Sequence, residues 1–258
     1  MAFRIEAACG CNVGRRRAGN EDNFYFDGRI LPRDNDGLRA AGMEEDLKRE
    51  LCYGVFDGMG GESYGEEASY LAAETVKGST KLLADFFYPP KKYLSNLVEE
   101  MNGAVCRRAE ELACSRMGST AVMLYFSGRF AYVCNVGDSK AFRLRRDEFL
   151  QISRDHTDAA FLEEHGIRGR KPSLTQHLGI WPQEMVLEPY IAKGELQDGD
   201  QYLLCSDGLT DMVGNVDICA VMKETDDVRE CVDLLIGKAL ENGGRDNVTA
   251  IVIRVREQ

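Results

Sequence analysis

Leu51-Cys-Tyr-Gly-Val-Phe-Asp-Gly-Met-Gly-Gly61 is an apolar, strand-like run that stops at Asp57 and gives way to four residues, three of them glycine. An acid is displayed at a strand end. Glycine tolerates backbone angles and close approaches that other residues refuse, so the peptide groups beside Asp57 become accessible to a ligand. The design recurs along the chain. Gln201-Tyr-Leu-Leu-Cys-Ser-Asp-Gly208 is another apolar run ending in Asp-Gly, and Gly243-Gly-Arg-Asp-Asn247 precedes the apolar run Val248 to Val255. Near the start, Arg17-Ala-Gly-Asn-Glu-Asp22 leads into Phe24-Tyr-Phe26.

One Asp-Gly pair is an ordinary turn signal and by itself reads as a hairpin. Four acidic junctions in one chain read differently, because carboxylates gathered at strand ends repel one another unless they share a cation. Hard oxygen donors favour Mg²⁺ or Mn²⁺. Asp22, Asp57, Asp207 and Asp246 are therefore candidate ligands of a two-metal site, in which ions about 4 Å apart activate a water for attack on phosphorus. Arg17, five residues before Asp22, carries a planar fork that matches phosphate oxygens. Glu21 is expected to stand behind the ligands and hold water.

At 258 residues with no Pro/Ser-rich linker or low-complexity segment, the chain reads as a single domain, residues 1–258. The formal charge of -11 argues against a nucleic-acid partner, which needs a basic face to displace counterions. Met1-Ala-Phe-Arg-Ile-Glu6 lacks the pattern of a secretion signal, and no apolar run is long enough to span a bilayer; no membrane association and a cytoplasmic location are expected. Nine cysteines scattered through candidate elements, with no C-x-x-C pair, read as reduced core residues rather than a disulfide framework or a zinc site.

Periodicity places strands at Phe3 to Cys9 and Phe24 to Phe26, with Gly28 to Glu50 as an exposed loop or frayed helix. Helices are expected from Glu62 to about Phe86 and from Tyr93 to about Met117, separated by Pro89-Pro90. Four short strands then form an antiparallel meander: Ala121 to Phe126, Arg129 to Asn135, Ala141 to Arg145 and Phe149 to Ile152. Asp155 to Pro182 reads as a loop, broken by a short helix at Ala159 to His165, that serves as a substrate flap. Strands at Met185 to Ala192 and Gln201 to Ser206, helices at Val216 to Lys223 and Asp227 to Leu240, and a strand at Val248 to Val255 complete the chain. Strands and helices come in blocks, which favours α+β over a doubly wound parallel sheet.

Seven motifs, in order, resemble those of the metal-dependent protein phosphatases, the type 2C serine/threonine phosphatases, in their bacterial form. They are Arg17-Ala-Gly-Asn-Glu-Asp22, Val55-Phe-Asp-Gly-Met-Gly-Gly61, Gly118-Ser-Thr120, Val136-Gly-Asp-Ser139, Asp155-His-Thr157, Ser206-Asp-Gly-Leu209 and Arg245-Asp-Asn247. The resemblance implies a four-layer α-β-β-α sandwich, two antiparallel sheets flanked by helix pairs, with metals in a cleft at one end. It implies a monomeric hydrolase of phosphoserine and phosphothreonine in phosphorylated proteins, working with two Mn²⁺ or Mg²⁺ ions. Asp57, Asp207, Asp246 and the carbonyl of Gly58 correspond to the family's direct ligands, Asp22 to one held directly or through water, and Asp138 to a position tied to a third, weaker metal. Met59 stands where many animal members carry a histidine, so the acid that protonates the leaving group is not named by the resemblance; His156 reads as structural.

Two other readings compete. Cys9-Gly-Cys-Asn-Val-Gly-Arg15 and the run from Cys11 to Arg17 both satisfy the C-x-x-x-x-x-R spacing of cysteine-dependent phosphatases. Such a loop should follow a strand and open a helix, and Ala-Gly-Asn-Glu-Asp is a poor helix start. A non-catalytic pseudophosphatase would keep the fold as a binding module, yet the four acids and Arg17 are all present.

Overall fold

The computed structural model describes residues 3–59, 64–82, 89–114 and 116–257. Its elements, in chain order, are β1 (Phe3–Asn12), β2 (Asp22–Phe26), β3 (Gly37–Asp46), β4 (Leu51–Met59), α1 (Gly65–Leu82), α2 (Pro90–Glu111), β5 (Gly118–Ser119), β6 (Ala121–Ser127), β7 (Phe130–Val136), β8 (Lys140–Arg145) and β9 (Glu148–Gln151). Then follow α3 (Ala159–Glu164), β10 (Tyr190–Glu195), β11 (Gln201–Cys205), α4 (Asp207–Thr210), α5 (Asn215–Glu224), α6 (Val228–Glu241) and β12 (Val248–Glu257).

Alternation builds the layers. In β12, Ile251, Ile253 and Val255 face one side and Val248, Ala250 and Val252 the other, and both sides are buried. One sheet runs β3-β1-β12-β11-β8-β9 and the other β10-β7-β6-β4-β2, with β5 paired to β4, all antiparallel. Their inner faces meet over Tyr53, Phe126 and Tyr202, whose rings pack edge to face at 6.0 and 5.8 Å between centroids. Helices α1 and α2 cover the outer face of the second sheet through Ala68, Ala72, Val76, Leu94, Leu97 and Met101. Helices α5 and α6 cover the first sheet through Ile218, Met222, Val232 and Leu235. The result is the four-layer α+β sandwich that the motifs implied.

Several expectations are corrected. Residues 28 to 50 are not a loop throughout: β3 pairs with β1 from Arg4↔Asp46 to Asn12↔Gly37. Its sequence, GLRAAGMEED, has little β-propensity, and its strand form comes from the β1 ladder it borders. The meander is split. β6 and β7 belong to one sheet and β8 and β9 to the other, so Val136-Gly-Asp-Ser139 carries the chain across the sandwich. Gly137 makes the crossing at φ +100, where a Cβ would lie 2.7 Å from Thr120. The strand expected from Met185 begins at Tyr190, and the expected limits Glu62 and Phe86 of the first helix lie outside the described residues.

Candidate metal centre

The sheet ladders bring the acids together. Asp22 opens β2 and is the register partner of Asp57 near the end of β4. In the facing sheet, β11 pairs with β12 from Gln201↔Arg254 to Cys205↔Ala250, so Asp207, just past β11, and Asp246, just before β12, emerge at one end. Asp138 sits on the crossing from β7 to β8 at that same end. Five aspartates from distant stretches thus share a rim. Gly58 belongs here for a reason of space: a Cβ would run into the carbonyl of Gly65, where α1 begins.

Asp22 is buried. Its Oδ2 accepts hydrogen bonds from Ser206 Oγ at 2.8 Å and Thr249 Oγ1 at 2.7 Å, which aim the group, while its Oδ1 is buried with no partner. Burial pushes the carboxyl up to about 7, against the two hydroxyls and with Asp207 and Asp246 adding repulsion. The Asp57 carboxyl is driven well above the usual range by burial first, then by Asp22, Asp207, Asp138 and Asp246. Its backbone is clamped, since the N–H donates to Thr120 Oγ1 at 3.1 Å and the carbonyl accepts from Thr120 N at 2.9 Å. Asp138 is raised to about 6, mainly by burial and then by Asp207.

Two side-chain cations meet the remaining acids. Arg17 Nη2 donates to Asp246 Oδ2 at 2.7 Å and its Nη1 lies 3.8 Å from Glu21. Lys171, from the segment after α3, donates to Asp207 Oδ2 and to Asp211 Oδ2, both at 2.6 Å. Among the described residues no three carboxylate, histidine or cysteine groups converge as a ready-made cage, and Asp207 and Asp246 are paired with these cations. The donor set nevertheless fits a hard divalent ion: all oxygen, mutually repelling, with one buried oxygen unpartnered. Glu21 is half-buried beside Arg17, its carboxyl raised by burial, and its carbonyl accepts from Gly58 N at 3.0 Å.

Sequence reading missed several contributors. Asn247 ties the loop before β2 in place, accepting from Glu21 N at 2.8 Å and donating to the carbonyls of Val13 and Gly19. Ser206 and Thr249 aim Asp22, and Lys171 reaches Asp207 across 36 positions of sequence. Asn247 and Ser206 adjoin acids already singled out; nothing local marked Lys171 or Thr249. His156 accepts from Gly137 N at 3.2 Å and holds the crossing turn, while burial lowers its pKa. Cys9 and Cys11 lie inside β1, between β3 and β12, with thiols pushed up to about 12 by burial. No helix follows Arg15 or Arg17, so the cysteine-dependent reading fails: a buried, protonated thiol is no nucleophile.

Two face-to-face antiparallel sheets with helical outer layers and an acid-rich rim define a metal-dependent hydrolase. The chain belongs to the protein phosphatase 2C family, whose model matches residues 33–248. It is 28% identical to the serine/threonine phosphatase stp of Listeria innocua over 251 residues, covering 93% of this chain and 92% of that protein. It is 31% identical over 255 residues to the serine/threonine protein phosphatase PstP of Mycobacterium tuberculosis, covering 94% of this chain but only 43% of PstP. A crystal structure of the PstP catalytic domain in complex with two manganese ions superposes with a TM-score of 0.77 at 29% identity, covering 99% of this chain and 100% of that one.

Proposed function

We propose that Asp22, Asp57, Asp207 and Asp246, with the carbonyl of Gly58, hold the two divalent cations of this metal-dependent protein serine/threonine phosphatase. Mn²⁺ or Mg²⁺ bound there supplies an activated water and neutralises charge on the phosphoryl group. The observation that carries the assignment is the buried, unpartnered Oδ1 of Asp22, set opposite Asp57, whose own carboxyl is raised by burial and by the acids around it.

The chain's own residues do the rest. Ser206 and Thr249 fix the rotamer of Asp22, and Thr120 fixes the strand end that presents Asp57. Arg17, half exposed at the rim, exchanges Asp246 for the phosphoryl oxygens of the substrate, to which its fork is equally suited. Glu21, anchored through Asn247 and Gly58, orients water at the mouth of the site. Asp138 holds a third, weaker cation beside Asp207. Lys171 covers the rim from the flap.

Residues 1–258 are read as one catalytic domain acting on phosphorylated proteins as a monomer in the cytoplasm, with neither nucleic acid nor membrane as partner. The net charge of -11 supports the exclusion of nucleic acid, and no described helix is long and apolar enough to cross a membrane. Hydrolysis of a phosphothreonine peptide with Mn²⁺, with and without a chelator, tests the function. Turnover that survives chelation but not thiol alkylation would reject it, and metal binding without any turnover would mean a pseudophosphatase.

A further inference from the structure

The sandwich is not closed alike at its two edges. On the β2 side the space between the sheets is filled by Phe24, Phe26 and Leu31. At the opposite edge, where β7 and β10 face β8 and β9, small side chains such as Ala131 and Ala192 stand on one sheet and Arg143 on the other. Phe142 and Leu144 point outward to the helices, so strand alternation directs Arg143 inward between the sheets. A slot of about 260 Å³ remains, lined deeper in by Leu124, Val133 and Tyr202 of the inter-sheet core.

The arginine is poorly matched to that setting. Its side chain is 19% exposed, its Nε is buried without a hydrogen-bond partner, and its ion pair with Glu148, which is 60% exposed, spans 3.4 Å. Lys193, the next residue after inward-facing Ala192, sends its ammonium to the outer face, 3.5 Å from the centre of the Phe130 ring, which leaves Arg143 as the cation directed into the slot. A buried donor left unmet costs free energy. Apolar walls with one unmet charge-bearing donor are the composition of a small-ligand site, in which the polar group sets orientation and the walls supply affinity. The size is that of roughly eight water molecules, below the usual range for drug-sized ligands, so the occupant is short.

We infer that this slot binds a small apolar carboxylate, a short fatty-acid-like chain whose carboxylate meets Arg143 and whose tail lies against Leu124, Val133 and Tyr202. The charge is complementary and the site shares no residue with the acidic rim, so the inference stands apart from the metal assignment. Calorimetric titration of the magnesium-loaded protein with octanoate tests it, with acetate and 1-octanol as ligands that each keep one half of the chemistry. One octanoate should bind per chain, with both controls at least tenfold weaker. Arg143→Met should weaken octanoate at least tenfold while leaving 1-octanol unchanged. Ala192→Leu, which fills the slot, should remove octanoate binding with phosphopeptide turnover intact. Absence of saturable octanoate binding to the wild-type protein, or affinity unaltered by Arg143→Met or by Ala192→Leu in folded protein, would overturn the inference.

Discussion

Asp22 and Asp57 stand directly opposite each other in the β2–β4 ladder, Asp22 fully buried and Asp57 near the strand end, and the Asp22 carboxylate raises the cost of ionising Asp57. Divalent cations relieve that repulsion. Asp57→Asn should therefore weaken Mn²⁺ binding and remove most phosphopeptide turnover while raising the thermal stability of the metal-free protein. Calorimetry with Mn²⁺ and a melt in chelator read the two effects separately. Near-wild-type kcat in Asp57→Asn would reject the ligand assignment.

The same carboxyls set a pH dependence. Asp22 titrates near 7 and Asp138 near 6 in the folded chain, against about 3.9 when unfolded. Between these values the folded state binds more protons than the unfolded one, so stability falls as pH rises from about 4 to 7. In chelator, Tm should be higher at pH 5 than at pH 8, and saturating Mn²⁺ should reduce or reverse the difference. A metal-free Tm that rises over this range would contradict the sign.

Arg17→Ala should weaken phosphate binding more than metal binding. The expected loss is about 2 kcal/mol, roughly 30-fold in substrate KM or phosphate Ki, as for a charge-assisted hydrogen bond. Steady-state kinetics with inorganic phosphate as inhibitor measures it. Unchanged KM and Ki would assign Arg17 to Asp246 alone.

Lys171 and an incoming cation compete for Asp207, since the ammonium occupies Asp207 Oδ2 at 2.6 Å. Lys171→Met should tighten Mn²⁺ binding several-fold by removing the competitor. Weaker Mn²⁺ binding in the variant would show that the lysine instead organises the acids.

Asp138→Ala should leave two ions bound and lower kcat, most visibly at low metal concentration. Stoichiometry by calorimetry, paired with kinetics across a metal titration, checks this. Wild-type kinetics at every metal concentration would return Asp138 to the role of a turn residue on the β7–β8 crossing.

What the sequence by itself determined is what short-range physics encodes. Alternating runs such as Val248 to Val255 and the helical stripe from Leu94 to Val105 announce their periods within a few residues, and Asp-Gly pairs mark where strands stop. Asp22, Asp57, Asp207 and Asp246 were legible because each one punctuates a strand, whereas Asp138 was marked only by the family resemblance. Tertiary structure alone decided the rest. β3 is a strand because β1 offers it a ladder, and β7 and β8 lie in different sheets although the turn between them reads as a hairpin. The pairing of Asp22 with Asp57, the reach of Lys171 to Asp207 and the inward Arg143 at an unfilled edge depend on which strands become neighbours. So do the protonation states of the acids, because desolvation and repulsion are properties of the assembled site and no single residue carries them.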